Sequence, residues 1–360
     1  MIVTRATLRS FRSYAALDVA LERGLVLVVG ANGVGKTNLL EALHVGAQGF
    51  SPRTRAEPRL VRFGEQAARV QLQGMEAGTP VETDVTIAPG EGKTVRLNGA
   101  ALASAEELRA RLTGLAFLPD RLAIVKGGPA VRRAYFDRML GRLRPSQAGL
   151  PGEYGRALAQ RNEALRRVRA GVSGRDAVEP WTEQVAALGT ELDGARAGLV
   201  AELATGFAAT ASRLGLGEAT LAYSEQGLPL AELEARLTRD LERGTTGLGP
   251  HLRDVEIRAG ARDLRGFGSQ GEQRAAVLSL LLAEAAALAE RRGSPPLLLL
   301  DDVFSELDVE RRRALLAMLP EDGQTLITAT SVDALPGDGP EPAIVLSVRR
   351  EGNASLVGAA

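Results

Sequence analysis

The stretch Gly30-Ala31-Asn32-Gly33-Val34-Gly35-Lys36-Thr37 constrains this chain more than any other. It matches G-x-x-x-x-G-K-[ST], in which glycines let backbone N–H groups wrap phosphates and the following helix adds a positive dipole end. Its neighbours agree with that context. Upstream, Leu25-Val26-Leu27-Val28-Val29 is a continuous apolar run, as expected of a strand buried on both faces. Downstream, Asn38-Leu39-Leu40-Glu41-Ala42-Leu43 has the spacing of an amphipathic helix. The motif assigns Lys36 to the terminal phosphates of a nucleotide and the Thr37 hydroxyl to Mg²⁺, so ATP and Mg²⁺ are the expected ligands.

Two further segments carry chemistry. Leu297-Leu298-Leu299-Leu300 reads as a second buried strand and runs into Asp301-Asp302. A carboxylate at that strand end can hold Mg²⁺ (Asp301), and the next can polarise an attacking water (Asp302). Ser269-Gln270-Gly271-Glu272-Gln273 precedes a long apolar helix expected to begin near Arg274. Physically this is a second helix N-terminus suited to an anion. The order of Ser269, Gly271 and Gln273 resembles the ABC signature motif. Asp301 to Asp308 resembles a Walker B strand followed by a D-loop, here Ser305, Glu306, Leu307 and Asp308. The resemblance implies that the signature segment of one copy reaches the nucleotide of a second, and that the D-loop crosses the interface. Two-fold symmetry then gives two composite sites, and ATP stabilises the dimer by mass action.

The rest of the chain fits an α/β class. Residues 67–97 alternate apolar and polar positions (Val81, Thr83, Val85, Ile87, Val95, Leu97), with Asn98-Gly99 as a tight-turn signal. Ser104 with Glu107 predicts a capping box at a short helix. From Tyr154 the character changes. Trp181, Val185, Leu188, Leu192, Ala195, Leu199, Leu203 and Phe207 recur at helical spacing, and Tyr154, Leu158, Leu165 and Val168 form a matching stripe. Gly171 to Gly174 breaks between them, so an antiparallel helical hairpin is expected. After it, Thr325-Leu326-Ile327-Thr328 and Ala343-Ile344-Val345-Leu346 return to strand character. The expected architecture is an ABC-type P-loop ATPase head over 1–140 and 245–360, a mixed sheet with flanking helices and an antiparallel β segment. A helical lobe over 141–244 is inserted into it.

Composition narrows the partners and the chemistry. With no cysteine and only His44 and His251, thiol chemistry and cysteine-based zinc sites are excluded. The start lacks the pattern of a signal peptide and no apolar run approaches a membrane span, so a cytoplasmic protein with no membrane partner is expected. Lys+Arg and Asp+Glu balance at 44 each, so bulk charge does not announce a nucleic-acid partner. A local basic surface would suffice for one.

Pro119-Asp120-Arg121-Leu122-Ala123-Ile124-Val125-Lys126-Gly127-Gly128-Pro129-Ala130-Val131-Arg132-Arg133 with Tyr135-Phe136-Asp137 resembles a characteristic stretch of the RecF family of bacterial recombination mediators. Leu299 to Asp308 with Arg311 is similar to that family's second signature. Leu8 to Tyr14 resembles the opening of RecF and its Rad50 and SMC relatives. Thr246-Gly247-Leu248-Gly249-Pro250-His251 fits too, although Leu252-Arg253-Asp254 departs from the usual run. The resemblance implies ATP-dependent DNA binding near single-strand/double-strand junctions or gaps. It also implies cooperation with RecR and RecO to load RecA, in recombinational repair, replication restart and the SOS response. For phosphate contacts, Arg132, Arg133, Arg161, Arg166, Arg167 and Arg169 are the candidates. ABC ATPases usually carry a switch histidine after the strand beyond Walker B. Thr328-Ala329-Thr330-Ser331 stands there instead, which predicts a slow ATPase that acts as a timed switch. A transporter's ATP-binding subunit would not explain the Pro119–Asp137 run, and a P-loop kinase would not need a signature helix. An SMC- or Rad50-like tether is disfavoured because 301 − 36 = 265 positions, many of them β, leave room only for a short hairpin.

Overall fold

The computed structural model describes residues Met1–Ala359, and the chain divides into two compact units. The first comprises Met1–Leu122, Thr210–Leu216 and Val277–Ala360, and the second Ala123–Ala209 and Gly217–Ala276.

The first unit contains two sheets. One runs Ala354–Ala359, Ile344–Glu351, Gly24–Val29, Gln324–Ala329, Leu297–Leu300, Gly114–Phe117. Its strands pair in parallel from Ile344–Glu351 to Gly114–Phe117, and Ala354–Ala359 returns antiparallel at the edge. Burial on both faces explains the uninterrupted apolar runs: Leu297, Leu298, Leu299 and Leu300 are all buried. The other sheet is antiparallel, in the order Tyr14–Ala20, Ile2–Phe11, Ala68–Glu76, Thr79–Ala88, Gly92–Leu97, Ala100–Ala101. Here one face is dry and the other wet. Val70, Leu72, Val85 and Ile87 point inward, while Arg69 and Asp84 pair on the opposite face. Between Gly92–Leu97 and Ala100–Ala101, Asn98 and Gly99 both take positive φ, as the two-residue turn signal requires.

Helix Lys36–Gln48 packs into one apolar cluster with residues from both sheets, among them Leu8, Val26, Val70 and Leu326. Its approach is close enough that a Cβ on Gly46 would come within 2.6 Å of the Leu72 side chain. The predicted capping box at Ser104 does not form. Glu107 accepts the Ala103 N–H at 3.2 Å, while the Ser104 side chain caps no helical N–H of Ala105–Arg111.

The second unit holds the helical hairpin. Helices Leu150–Arg169 and Glu179–Arg213 run antiparallel, since Tyr154 lies against Gly189, Arg161 bonds Thr182 and Leu165 clusters with Val178. The unit extends beyond the 141–244 lobe expected from sequence, and the reason is pairing across a long separation. Strand Ala219–Tyr223 pairs antiparallel with Val255–Ala259, which in turn pairs with Arg262–Asp263. Upstream, Arg196 on the long helix holds Asp137 on helix Pro129–Leu143 through two bonds of 2.8 and 2.9 Å. Segments 123–140 and 245–276 are therefore bound into this unit.

A buried polar network lies inside it. The fully buried Arg161 guanidinium bonds Asp240 at 2.9 Å, Thr246 at 2.7 Å and Thr182 at 3.1 Å. His251 Nε2 faces the Thr246 carbonyl at 3.2 Å, so that nitrogen carries the proton and Nδ1 accepts the Tyr154 hydroxyl at 2.7 Å. Desolvation lowers the His251 pKa from its ordinary value, and burial raises that of Tyr154. Both groups are neutral in the fold at neutral pH. Among the described residues no helix is long and apolar enough to cross a membrane.

Candidate functional site

The phosphate loop leaves the carboxyl end of strand Gly24–Val29 and enters helix Lys36–Gln48. Gly30, Gly33 and Gly35 all have φ between +80° and +155° (154°, 82° and 117°), a region closed to most side chains. At Gly35 space is also closed, because a Cβ would strike the Ser355 hydroxyl and approach that of Ser13 to 2.8 Å. Two groups from distant chain segments pin the loop. Ser355 donates to the Val34 carbonyl at 2.5 Å, and buried Tyr14 donates to the Gly35 carbonyl at 3.1 Å. Gly33, at the tip, meets nothing within 4 Å. Ala31 and Asn32 are exposed beside it. Lys36 folds back over the loop, donating to the carbonyls of Gly30 at 2.5 Å and Ala31 at 2.9 Å. Desolvation lowers its pKa, opposed by the charges of Asp301 and Asp302.

Parallel pairing brings the second motif alongside the first. Thr37 Oγ1 donates to Asp301 Oδ2 at 2.8 Å across 264 positions of sequence. The other oxygen, Oδ1, accepts from Thr328 Oγ1 at 2.7 Å, and Thr328 accepts the Asp302 N–H at 2.8 Å. Thr328 lies near the end of the strand between those carrying the P-loop and the acidic pair, so one hydroxyl holds the Asp301 carboxylate and the Asp302 backbone N–H. Asp302 has φ +49°, an unusual backbone state for a non-glycine residue that turns the chain sharply after the strand. The next segment is locally held: Ser305 donates to the Asp302 carbonyl at 3.1 Å, Leu307 is buried, and Glu306 is exposed. Asp308 caps helix Val309–Leu316 by accepting the Arg311 N–H at 2.9 Å.

The oxygen set fits a hard divalent cation. Thr37 and Asp301 supply a hydroxyl and a carboxylate, both oxygen donors, at the mouth of the phosphate loop. No group of three or more His, Asp or Glu residues suited to a metal occurs among the described residues, so remaining ligands would be phosphate oxygens and water. Close by, Glu41 is buried and paired with both Arg12 at 2.8 Å and Arg53 at 3.0 Å; Arg53 also reaches Asn38 at 3.2 Å in the first turn after the loop.

In the second unit, Ser269 caps helix Gln270–Arg292, which begins earlier than the Arg274 start expected from sequence. The cause is a reciprocal bond pair. Ser269 Oγ accepts the Glu272 N–H at 3.2 Å and Glu272 accepts the Ser269 N–H at 2.8 Å. Gln270 and Gly271 lie in the first turn, and buried Gln273 donates to the Leu264 carbonyl at 2.9 Å.

The arginine candidates for DNA divide. Arg132 is buried and bound to Asp254 and to the carbonyls of Val125 and Gly127, and Arg161 lies in the buried network above. Both are corrected from phosphate contacts to internal structural cations. Arg133 is half-buried and spends a donor on the Arg253 carbonyl at 2.7 Å. Arg166, Arg167 and Arg169 remain exposed at the end of helix Leu150–Arg169, with Arg166 in a surface pair with Glu163. Sequence reasoning missed Ser355, the part Tyr14 plays in pinning the loop and the role of Thr328 as an orienting group. Each acts through a partner many residues away or through an ordinary-looking loop, so no local pattern marks them.

A parallel-stranded core with an antiparallel sheet, a P-loop joined to an acidic pair through Thr37, and a long serine-capped helix match an ATPase head of the SMC and ABC type. A family model for the RecF/RecN/SMC N-terminal domain matches residues 2–336. The chain belongs to the RecF family. It is 34% identical to the DNA replication and repair protein RecF of Pseudarthrobacter chlorophenolicus over 93% of this chain and 94% of that one. It also resembles a solved structure of the recombination mediator protein RecF with ATP, described in the RecFOR pathway, with TM-score 0.86, 27% identity and coverage of 99% and 97%. The Smc head domain from Pyrococcus furiosus shares the fold alone, with TM-score 0.59 and 17% identity over 99% of this chain and 96% of that one.

Proposed function

We propose that this chain is an ATP-dependent DNA-binding protein of replication and recombinational repair. In this reading it dimerises on binding ATP, engages gapped or junction DNA, and acts with RecR and RecO to help RecA load, so serving replication restart and the SOS response. The observation that carries the reading is the Lys36–Thr37–Asp301–Thr328–Asp302 constellation, assembled at the carboxyl ends of adjacent parallel strands, where open α/β sheets bind ligands. Membership of the RecF family and likeness to a RecF structure with ATP support the same ligand.

The chain's own groups have distinct tasks. Backbone N–H groups of Gly30 to Thr37 cradle the phosphates, and Lys36 leaves the carbonyls of Gly30 and Ala31 for the terminal phosphates. Thr37 and Asp301 would hold Mg²⁺, which would supply positive charge against the phosphate oxygens. Asp302 accepts a proton from the attacking water, with Thr328 fixing its backbone N–H. Ser269 to Gln273 of one copy meet the nucleotide of the other, and Ser305 to Asp308 cross the interface. Thr330 and Ser331, both exposed, stand where a switch histidine would, so turnover is slow and ATP acts as a timer. Arg166, Arg167 and Arg169 contact DNA phosphates, and binding weakens with salt accordingly.

Fluorescence anisotropy on a gapped duplex tests the reading, using Asp302→Asn to prolong the ATP state. Tighter binding with ATP-Mg²⁺, abolished by Ser269→Arg, is expected. DNA affinity indifferent to ATP would defeat the proposal.

A further inference from the structure

The signature helix presents its N-terminus already occupied. Ser269 offers two groups, a hydroxyl and a backbone N–H, and both are engaged by the one residue Glu272 through bonds of 3.2 and 2.8 Å. Glu272 carries a charge as well as a cap. Its pKa is held down to about 2, first by the hydrogen bond from Arg262 and then by the Ser269 N–H, so it is ionised throughout the neutral range. An anionic side chain at a helix N-terminus occupies the position and the dipole that an incoming phosphate needs. Two anions at one terminus repel unless a cation stands beside them.

That cation is present within the same unit. Arg262, at the end of the three-stranded sheet, places Nη2 2.8 Å from Glu272 Oε1, and Nη1 lies 3.4 Å from the Phe267 carbonyl just ahead of Ser269. Its side chain is about half exposed, at 53%, and Glu272 retains 26%, so neither is locked inside the fold. The carboxylate therefore has one oxygen on the helix terminus and one on Arg262, and can leave the first without losing the second.

We propose that Arg262 is a positioning residue for the composite ATP site: it takes over the charge of Glu272 so that the Ser269 terminus can accept the terminal phosphate of ATP held by a second copy of this chain. This rests on the ATP-engaged dimer described under the proposed function. Without nucleotide, Glu272 caps the helix and the terminus is closed to weak anions. With ATP presented by the second copy, the Glu272–Ser269 bond opens and Glu272 stays on Arg262. Arg262 then sets how tightly ATP engages the two copies, while nucleotide binding to the P-loop of a single copy is left alone.

The test is a charge cycle in the Asp302→Asn background. Arg262→Ala, Glu272→Gln and the double variant are compared by sedimentation velocity with and without ATP-Mg²⁺, and fluorescent ATP binding is measured at protein concentrations where the chain is monomeric. Arg262→Ala should weaken ATP-dependent dimerisation about tenfold or more, as uncompensated like charge does at an interface. Adding Glu272→Gln should restore it to within about threefold, because glutamine keeps the cap and removes the charge. The Arg262→Ala defect should also shrink as salt rises, and monomer ATP affinity should not move. A purely structural Arg262 would give a defect that Glu272→Gln leaves in place. That result, or an Arg262→Ala protein that dimerises like its parent, overturns the proposal. If the parent itself stays monomeric with ATP, the underlying dimer reading falls, and this inference with it.

Discussion

Thr328→Val isolates the group that joins the two acidic residues of the site. Valine matches threonine in shape, so the change removes a hydroxyl and leaves packing nearly intact. Two bonds are lost. One is the donation to the ionised Asp301 at 2.7 Å, of the charged type that contributes about 1.5–3 kcal/mol. The other is acceptance of the Asp302 N–H at 2.8 Å, a neutral bond of about 0.5–1.5 kcal/mol. Thr328 and Asp301 are both buried, so water cannot replace the first partner cheaply. The expected loss is about 2–4.5 kcal/mol from the first unit, the sum of those ranges. Urea unfolding by circular dichroism is the assay, because the single tryptophan, Trp181, lies in the second unit and would report there. ATP turnover should fall about tenfold or more, since Asp302 loses the bond that fixes its positive φ. Thr328→Ser, which keeps the hydroxyl, should recover most of both. A valine variant within about 0.5 kcal/mol of the parent, with unchanged turnover, would refute the idea that this hydroxyl organises the site.

The second unit offers contrasting tests. Arg161→Met should cost about 3–5 kcal/mol, because Asp240 is left charged and buried, and adding Asp240→Leu should return part of it. Unfolding followed by Trp181 fluorescence checks this, and an Arg161→Met protein as stable as the parent would contradict the buried pairing. Arg167→Ala should leave stability within about 0.5 kcal/mol yet lower the salt slope of DNA binding by about 1, as loss of one phosphate contact does. An unchanged slope would remove Arg167 from the DNA surface. His251 has a folded pKa below its ordinary value, so the unfolded chain takes up a proton first as pH falls. Stability should therefore drop from about pH 6.5 downward, with a slope that His251→Gln flattens; an identical pH profile for both proteins would be the contrary result.

The conformation of the glycine loop was legible because it is local. Gly30, Gly33 and Gly35 all take a positive φ that glycine reaches without strain. The runs Leu25–Val29 and Leu297–Leu300 likewise announce strands covered on both faces, and the hairpin stripes read directly as helices. What stayed hidden depends on separation. Thr328 looked like part of a region lacking a histidine, and its role appears only when parallel pairing carries it beside Asp301. From sequence, Arg132 and Arg161 are candidates for phosphate contacts. Burial and the carboxylates of Asp254 and Asp240, 122 and 79 positions away, turn them inward. The unit boundary moved for the same reason, since strand Ala219–Tyr223 recruits Val255–Ala259 through hydrogen bonds that no local pattern encodes. Sequence determined which segments must be strand, helix or phosphate loop, because those follow from side-chain period and backbone freedom. Tertiary structure decided which charges face water and which hydroxyl holds the Asp301 carboxylate, because both are matters of what packing places beside them.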